Sequence, residues 1–254
     1  MNWLLQVLSS KGGIVVLTLV VFMLLERAFP VVRARLNMDR IFRNFSFAGI
    51  NFLLGPLIVV PVTAMAAGHA FHWQPQWWSG WTGLALDLLI LDCWIYFWHR
   101  ANHLVPLLWR FHEVHHLDET LDASSALRFH FGEVVLSSVV RALVIILLGV
   151  SVFSVVVFET LVTMAAIFHH SNIKLPPHLE KLLSLVVVTP SIHWVHHHAV
   201  RSDTDSNYST ILSIWDRLFG SVAAGKRIPD MLIGVEGLKE QKLLRLILRP
   251  FYRA

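Results

Sequence analysis

The 254-residue sequence predicts an all-α fold: an integral membrane helical bundle of about three spans plus a helical hairpin, with a histidine-rich helical cap on the cytoplasmic side. Three observations carry that expectation. Hydrophobic residues make up 55% of the chain and charged residues 15%, with a mean hydropathy of +0.59, which is outside the range of soluble domains. Uncharged apolar stretches recur near the roughly 20 residues a helix needs to cross a bilayer. The 15 histidines gather just beyond the ends of those stretches.

The first apolar segment runs from about Gly12 to Phe29 and the second from about Asn44 to Gly68, the latter with no charge at all. Pro56 and Pro61 predict a kink in the second, a defect that lipid tolerates when neighbours satisfy the freed carbonyls. The third runs from about Trp81 to Trp98. Val134 to Phe168 is too long for one helix and short for two full spans, and with Gly149 and Ser151 near its middle it reads as a hairpin. Arg141 and Glu159 each lie nine residues from Val150. An antiparallel hairpin turning there brings them to one depth, where pairing relieves two lone charges in lipid. The tail "GLKEQKLLRLILRPFYRA" is basic and amphipathic, suited to a helix on an anionic leaflet or to a solvated terminal helix. The chain divides into N-terminal membrane helices over 1–83, a catalytic domain over 84–220 and the tail over 221–254.

Orientation comes from the loops. Residues 26 to 43 carry Arg27, Arg33, Arg35, Arg40 and Arg43 against Glu26 and Asp39, which marks that loop as cytoplasmic. The next loop, "HAFHWQPQWWSGW", has four Trp and no Lys, Arg, Asp or Glu, as an interfacial belt on the opposite face would. Counting spans onward, every histidine cluster lands on the cytoplasmic side. The short tail, without a dilysine-type retrieval signal, favours a bacterial inner membrane over the endoplasmic reticulum. The net charge of +4 is explained by this topology, and nucleic acid is not an expected partner.

Cys93 stands alone, so no intramolecular disulfide and no cysteine-based zinc motif can form, and a metal site must use nitrogen and oxygen. His99 and His103 in "HRANH" are four apart, which on a helix places both rings on one face. In "HEVHH", His112 precedes His115 and His116 by three and four, and "HWVHHH" repeats this with His193, His196 and His197. One or both of His169 and His170 in "FHHSN" can add a ligand; with His170 the set numbers nine. Nine imidazoles exceed a four-coordinate zinc site and suit two metals, each keeping an open position. All-imidazole ligation admits iron, copper, zinc or nickel. His130 is a weaker candidate and His198 is a spare.

Asp87 and Asp92 lie inside the third span, where a carboxylate is a functional suspect by default. Asp92 is two turns from His99 on the same face, a position from which it can accept an imidazole N–H and fix the tautomer.

The stretches "DCWIYFWHRANH", "LLWRFHEVHHLDE", "SSALRFHFGE", "FHHSNIKLP", "HWVHHH" and "NYSTILSIWDRLFG", in that order over residues 84 to 220, resemble the fatty acid hydroxylase and sterol desaturase superfamily of membrane di-iron enzymes. The resemblance implies a small membrane bundle with a cytoplasmic cap and two Fe ions just outside the bilayer. It also implies O2 as co-substrate for hydroxylating or desaturating unactivated C–H bonds of lipids. The implied ligands are His99, His103, His112, His115, His116, His170, His193, His196 and His197. His170 is preferred to His169 because it stands two before Asn172. Asn172, Asn207, Tyr208, Trp215 and Asp216 match elements that pack around the site. His130 matches a position usually followed by proline, where this chain has Phe131.

Oxidising an alkyl C–H bond requires a metal that changes oxidation state, which zinc cannot do and iron can. No dinucleotide fingerprint, CxxC pair or haem module occurs in the sequence, so electrons are expected from a separate reductase, ferredoxin or cytochrome. The competing reading is a zinc-dependent membrane hydrolase or isomerase using the same histidine cage. Substrate identity and oligomeric state are not encoded in these patterns.

Overall fold

The computed structural model describes residues 2–33 and 36–252, and Arg35 of the basic loop and Arg253 of the tail lie outside them. Twelve helices order the described residues, with no strand among them. Helices α1 (Asn2–Ala28), α2 (Met38–Leu54) and α3 (Val60–Gly68) precede the long α4 (Gly80–Leu104) and α5 (Pro106–His116). The hairpin is α6 (Phe131–Leu148) and α7 (Val152–His170). Short helices complete the cap: α8 (Pro177–Leu183), α9 (Pro190–His196), α10 (Arg201–Thr204), α11 (Ile214–Leu218) and α12 (Leu243–Leu248). Among the described residues, four helical runs are long and apolar enough to cross a membrane: Met38–Gly68, Gly80–Leu104, Phe131–Leu148 and Val152–His170.

Proline chemistry shapes the second span. Pro56 cannot donate to the carbonyl four residues back, and the helix answers with a π-helical turn over Gly55–Val59, in which Val60 N–H reaches Gly55 O. In the hairpin, Gly149 ends α6 at φ +69, and a Cβ there would lie 2.7 Å from Phe71 O. Both the left-handed backbone and the close approach require glycine. Ser151 then caps α7 by accepting Ser154 N–H. The turn aligns Arg141 Nη2 with Glu159 Oε1 at 2.6 Å, the pairing that the spacing predicts, and α1 adds Lys11 Nζ at 2.5 Å from Glu159 Oε2. Asp87 is structural: it accepts from Trp78 Nε1 and Ser154 Oγ, fastening the hairpin turn to α4.

The cap is fastened by buried charge. Arg40 of α2 reaches Asp118 at 2.5 Å and Asp122 at 2.5 Å, while Asn44 donates to Asp118 and Ser124, so the chain leaving α5 is anchored to the second span. Burial works against the Asp118 carboxylate, and Arg40 and Arg128 beside it hold it below the usual carboxylate range. One face of the tail docks on the cap, while Leu244, Phe251 and Tyr252 stay exposed. Leu246 of α12 is buried against Phe47, Val114 and Leu117, Glu240 pairs with fully buried Arg128 at 2.5 Å, and Arg249 pairs with Glu113 at 2.5 Å. Alternation of basic and apolar residues fits docking on the cap with one face and leaves the other free to meet water or a leaflet.

Candidate metal centre

Four helices bring the histidines together. The last turn of α4 presents His99 and His103, α5 presents His112, His115 and His116, the end of α7 presents His170, and α9 with its C-cap presents His193, His196 and His197. They divide into two groups, His99, His103, His112, His116 and His196 in one and His115, His170, His193 and His197 in the other. Within each group one ring nitrogen per residue lies within 4.8 Å of the others, and all nine rings are buried. The groups adjoin: the His116 and His197 rings stack at 4.2 Å and the His112 and His115 centroids are 5.4 Å apart.

Hydrogen bonding at the back of the rings sets what they offer at the front. His99 Nδ1 lies 2.8 Å from Tyr208 O, His170 Nδ1 2.7 Å from Ala166 O and His196 Nδ1 2.6 Å from Ser206 O. A carbonyl only accepts, so in each ring the proton sits on Nδ1 and Nε2 carries a bare lone pair. His112 Nδ1 meets Glu133 Oε1 at 3.0 Å and His103 Nδ1 meets Asp205 Oδ1 at 3.3 Å, with the same consequence.

Those lone pairs face one another. His99 Nε2 and His112 Nε2 are 3.1 Å apart, and the contacts His115–His170, His170–His193 and His193–His197 are 3.0, 3.0 and 3.2 Å between Nε2 atoms. One Nε2 takes part in at most one hydrogen bond, so this chain of three contacts cannot be satisfied by protons. Bonds of about 2.0–2.1 Å to a shared ion would place ligand nitrogens about 3.0–3.4 Å apart, close to the spacing seen. His103 Nε2, His196 Nε2 and both nitrogens of His116 are buried without a partner. The donor set therefore fits two cations held by imidazole. Burial first, then neighbouring imidazoles, hold His115, His116, His193, His196 and His197 well below the ordinary histidine pKa, so the rings are neutral ligands at pH 7.

The supporting residues act through backbone. Asp216 accepts Tyr208 N–H at 2.8 Å and Ser209 N–H at 3.0 Å, which places the Tyr208 carbonyl on His99. Asn207, at φ 52, bridges Ile192 O and Ala223 N–H and so ties α9 to the following loop. Asn172 accepts from Val31 and Val32 N–H and donates to Val32 O, pinning the end of α7 to the chain after α1. Trp215 donates to Asp92 at 2.8 Å.

The expectation that Asp92 holds a ligand imidazole is corrected. Its oxygens accept from Ile211 N–H, Leu212 N–H and Trp215 Nε1, so the carboxylate holds the 211–215 segment against α4 and bonds to no imidazole among the described residues. Helical spacing places it below His99, and the returning backbone takes the oxygens first. His130 stands outside both groups: it caps α6 by accepting Gly132 N–H, with Nε2 on Ile247 O. His198 pairs with Asp203 at 2.7 Å, and the His169 ring lies tilted 3.9 Å from the His193 ring; neither belongs to a group.

Sequence reasoning missed Glu133, Asp205 and Trp109. Glu133 lies in "SSALRFHFGE" at the head of an apolar segment, where a lone carboxylate is itself a signal. Asp205 and Trp109 carried none, because their approach to His103 is set by tertiary packing.

The fatty acid hydroxylase family model matches residues 84–221. Ornithine lipid hydroxylase OlsE of Rhizobium tropici is 28% identical over 198 residues, covering 78% of this chain and 59% of that protein. Alkylglycerol monooxygenase of Danio rerio is 36% identical over 154 residues, 60% of this chain and 33% of that protein. The cholesterol 25-hydroxylase-like protein of Danio rerio is 30% identical over 141 residues, 55% of each. This chain thus spans from about a third to three-fifths of the length of those relatives. No solved structure matches it. The family match covers more than half of the chain and takes in all nine clustered histidines, and the chain belongs to the fatty acid hydroxylase family.

Proposed function

We propose that the chain is an O2-dependent di-iron membrane oxidoreductase that hydroxylates an unactivated C–H bond of a lipid, with desaturation as the variant outcome of the same hydrogen abstraction. The observation that carries this reading is the pair of adjoining, buried imidazole groups at the ends of membrane-length helices. His99, His103, His112, His116 and His196 would hold one iron, and His115, His170, His193 and His197 the other. When bound, the irons supply the redox chemistry with O2 that neutral imidazoles lack. The chain's residues do the rest. Tyr208, Ala166 and Ser206 carbonyls and the Glu133 and Asp205 carboxylates keep protons on Nδ1 and lone pairs inward. Helices that run from the bilayer into the histidine turns let an alkyl chain approach without crossing water and keep water from the site.

The relatives, whose names give them as hydroxylases or monooxygenases of ornithine lipid, alkylglycerol and cholesterol, support a lipid as substrate here. Sidedness rests on the arginine-rich loop 26–43, which puts the histidine cap in the cytoplasm, and the Rhizobium tropici relative supports a bacterial inner membrane. Electrons come from a separate reductase, ferredoxin or cytochrome.

Metal analysis of the purified protein, with lipid mass spectrometry of cells expressing wild type or His196→Ala, tests the reading. Iron near two per chain and a wild-type-dependent gain of one oxygen or loss of two hydrogens are expected. Zinc alone, with no O2 uptake in the presence of reductant, would establish the hydrolase or isomerase reading instead.

A further inference from the structure

One route joins the five-histidine group to the surface. The Trp109 ring lies 5.0 Å from the His103 ring and 5.4 Å from the His116 ring, centroid to centroid, and is itself only half-buried. Over the ring sits the Arg201 guanidinium, 4.5 Å from the centroid. Arg201 also donates to His103 O at 3.0 Å and pairs with Asp205, whose second oxygen meets His103 Nδ1. Its side chain is 48% exposed. Arg100 stands 6.0 Å over the Tyr208 ring, which is 5.3 Å from His103, and pairs with no carboxylate among the described residues. Leu104 and Val105, just after His103, and Val200, just before Arg201, are exposed. An apolar centre with a cationic rim is the anatomy of a transient protein interface.

We propose that this Trp109–Arg201–Arg100 surface is where an acidic one-electron carrier protein docks and passes electrons to the five-histidine site. The proposal rests on the di-iron reading of that site. Each encounter oxidises the carrier's reduced centre by one electron and reduces one iron by one. Two encounters supply the two electrons that, with two protons and O2, turn one C–H into C–OH and release one water. Geometry favours a protein over lipid as the occupant. The 25 residues of α4 extend about 37 Å at about 1.5 Å each, against a hydrocarbon core of about 30 Å, so with the Trp77, Trp78 and Trp81 belt at one interface the other end of α4, Leu104 and the start of α5, would project past the core. The unpaired charge of Arg100 steers an acidic partner at low ionic strength.

The test uses iron-loaded protein in nanodiscs with two probes, a soluble acidic [2Fe–2S] ferredoxin and the soluble domain of a cytochrome b5. The first readout is the ratio of the iron reduction rate with carrier to that with dithionite, and the second is the Kd of the oxidised carrier. Arg201→Glu is expected to lower the ratio and weaken binding by about tenfold or more, and Arg201→Lys to keep both within about twofold, because charge-driven docking tolerates either cation. Trp109→Leu is expected to slow reduction at saturating carrier, where any change in Kd no longer affects the rate. The proposal is overturned if neither carrier reduces wild type, if Arg201→Glu binds and is reduced like wild type, or if Arg201→Lys fails as badly as Arg201→Glu. It is also overturned if a fluorophore on Ser202→Cys, in a Cys93→Ser background, is quenched by brominated lipid, since the surface would then face the membrane. Failure of dithionite to reduce the metal in wild type sinks the di-iron reading itself and is distinct from all of these.

Discussion

Replacing Glu133 should strip one metal and spare the other. Its Oε1 accepts from His112 Nδ1 at 3.0 Å and from Asn102 Nδ2 at 3.1 Å, and the side chain is almost wholly buried. In Glu133→Ala no water takes over those bonds without a cavity and further partners, so His112 loses both its tautomer lock and its aim. Loss of such a support typically costs 10–100-fold in metal affinity, or about 1.4–2.7 kcal/mol. His112 belongs to the five-histidine group, and among the described residues Glu133 makes no hydrogen bond to the four-histidine group. The occupancy loss should therefore be one ion per chain. Glu133→Gln retains a carbonyl oxygen that accepts the same N–H, so it should lose less affinity than Ala. Titrating metal-loaded protein with a graded chelator and counting metal per chain reads this out, with a wild-type curve losing both ions late. Loss of both ions together in Glu133→Ala, or a Gln variant as weak as Ala, would refute the argument that this carboxylate works through His112 alone.

The hairpin charges should respond unequally. Arg141→Met leaves Glu159 paired with Lys11, whereas Glu159→Met strands two cations, so the latter should cost the full 3–5 kcal/mol of a broken buried pair and the former clearly less, as read by thermal inactivation in detergent. Metal removal should lower the melting temperature, since ligand at about 1,000 times its Kd contributes about 4 kcal/mol to the folded state. The metal-free protein should also be acid-sensitive. Burial holds His115, His116, His193, His196 and His197 below their unfolded value near 6.5, so the unfolded state binds more protons and stability present above about pH 6.5 is lost as pH falls. A chelator-treated sample whose melting temperature is flat between about pH 7 and pH 5 would contradict that sign.

What the sequence discloses depends on the range over which each physical rule operates. Helical periodicity acts over four residues, and it places His99 with His103, and His112 with His116, on shared faces. Antiparallel symmetry about Val150 acts over eighteen and pairs Arg141 with Glu159. Beyond that range the rules select candidates without selecting partners. Asp92 had the right helix and the right face for His99, yet its oxygens went to the Ile211 and Leu212 amides, which come from more than a hundred residues away. An unpaired backbone N–H next to a buried carboxylate has the same claim on it as an imidazole, and only the tertiary path decides which arrives. The division of nine histidines into five and four is of this kind too. His115 and His116 are chain neighbours on one helix, but they serve different groups because successive residues project about 100° apart and the two groups flank α5. His196 and His197 divide in the same way. The adjacent pairs thus act as the partition between the two groups: the doubled histidine of each His-x-x-His-His repeat supplies one ring to each side, and the remaining histidine joins one side or the other, an arrangement that would set two bound metals side by side rather than far apart.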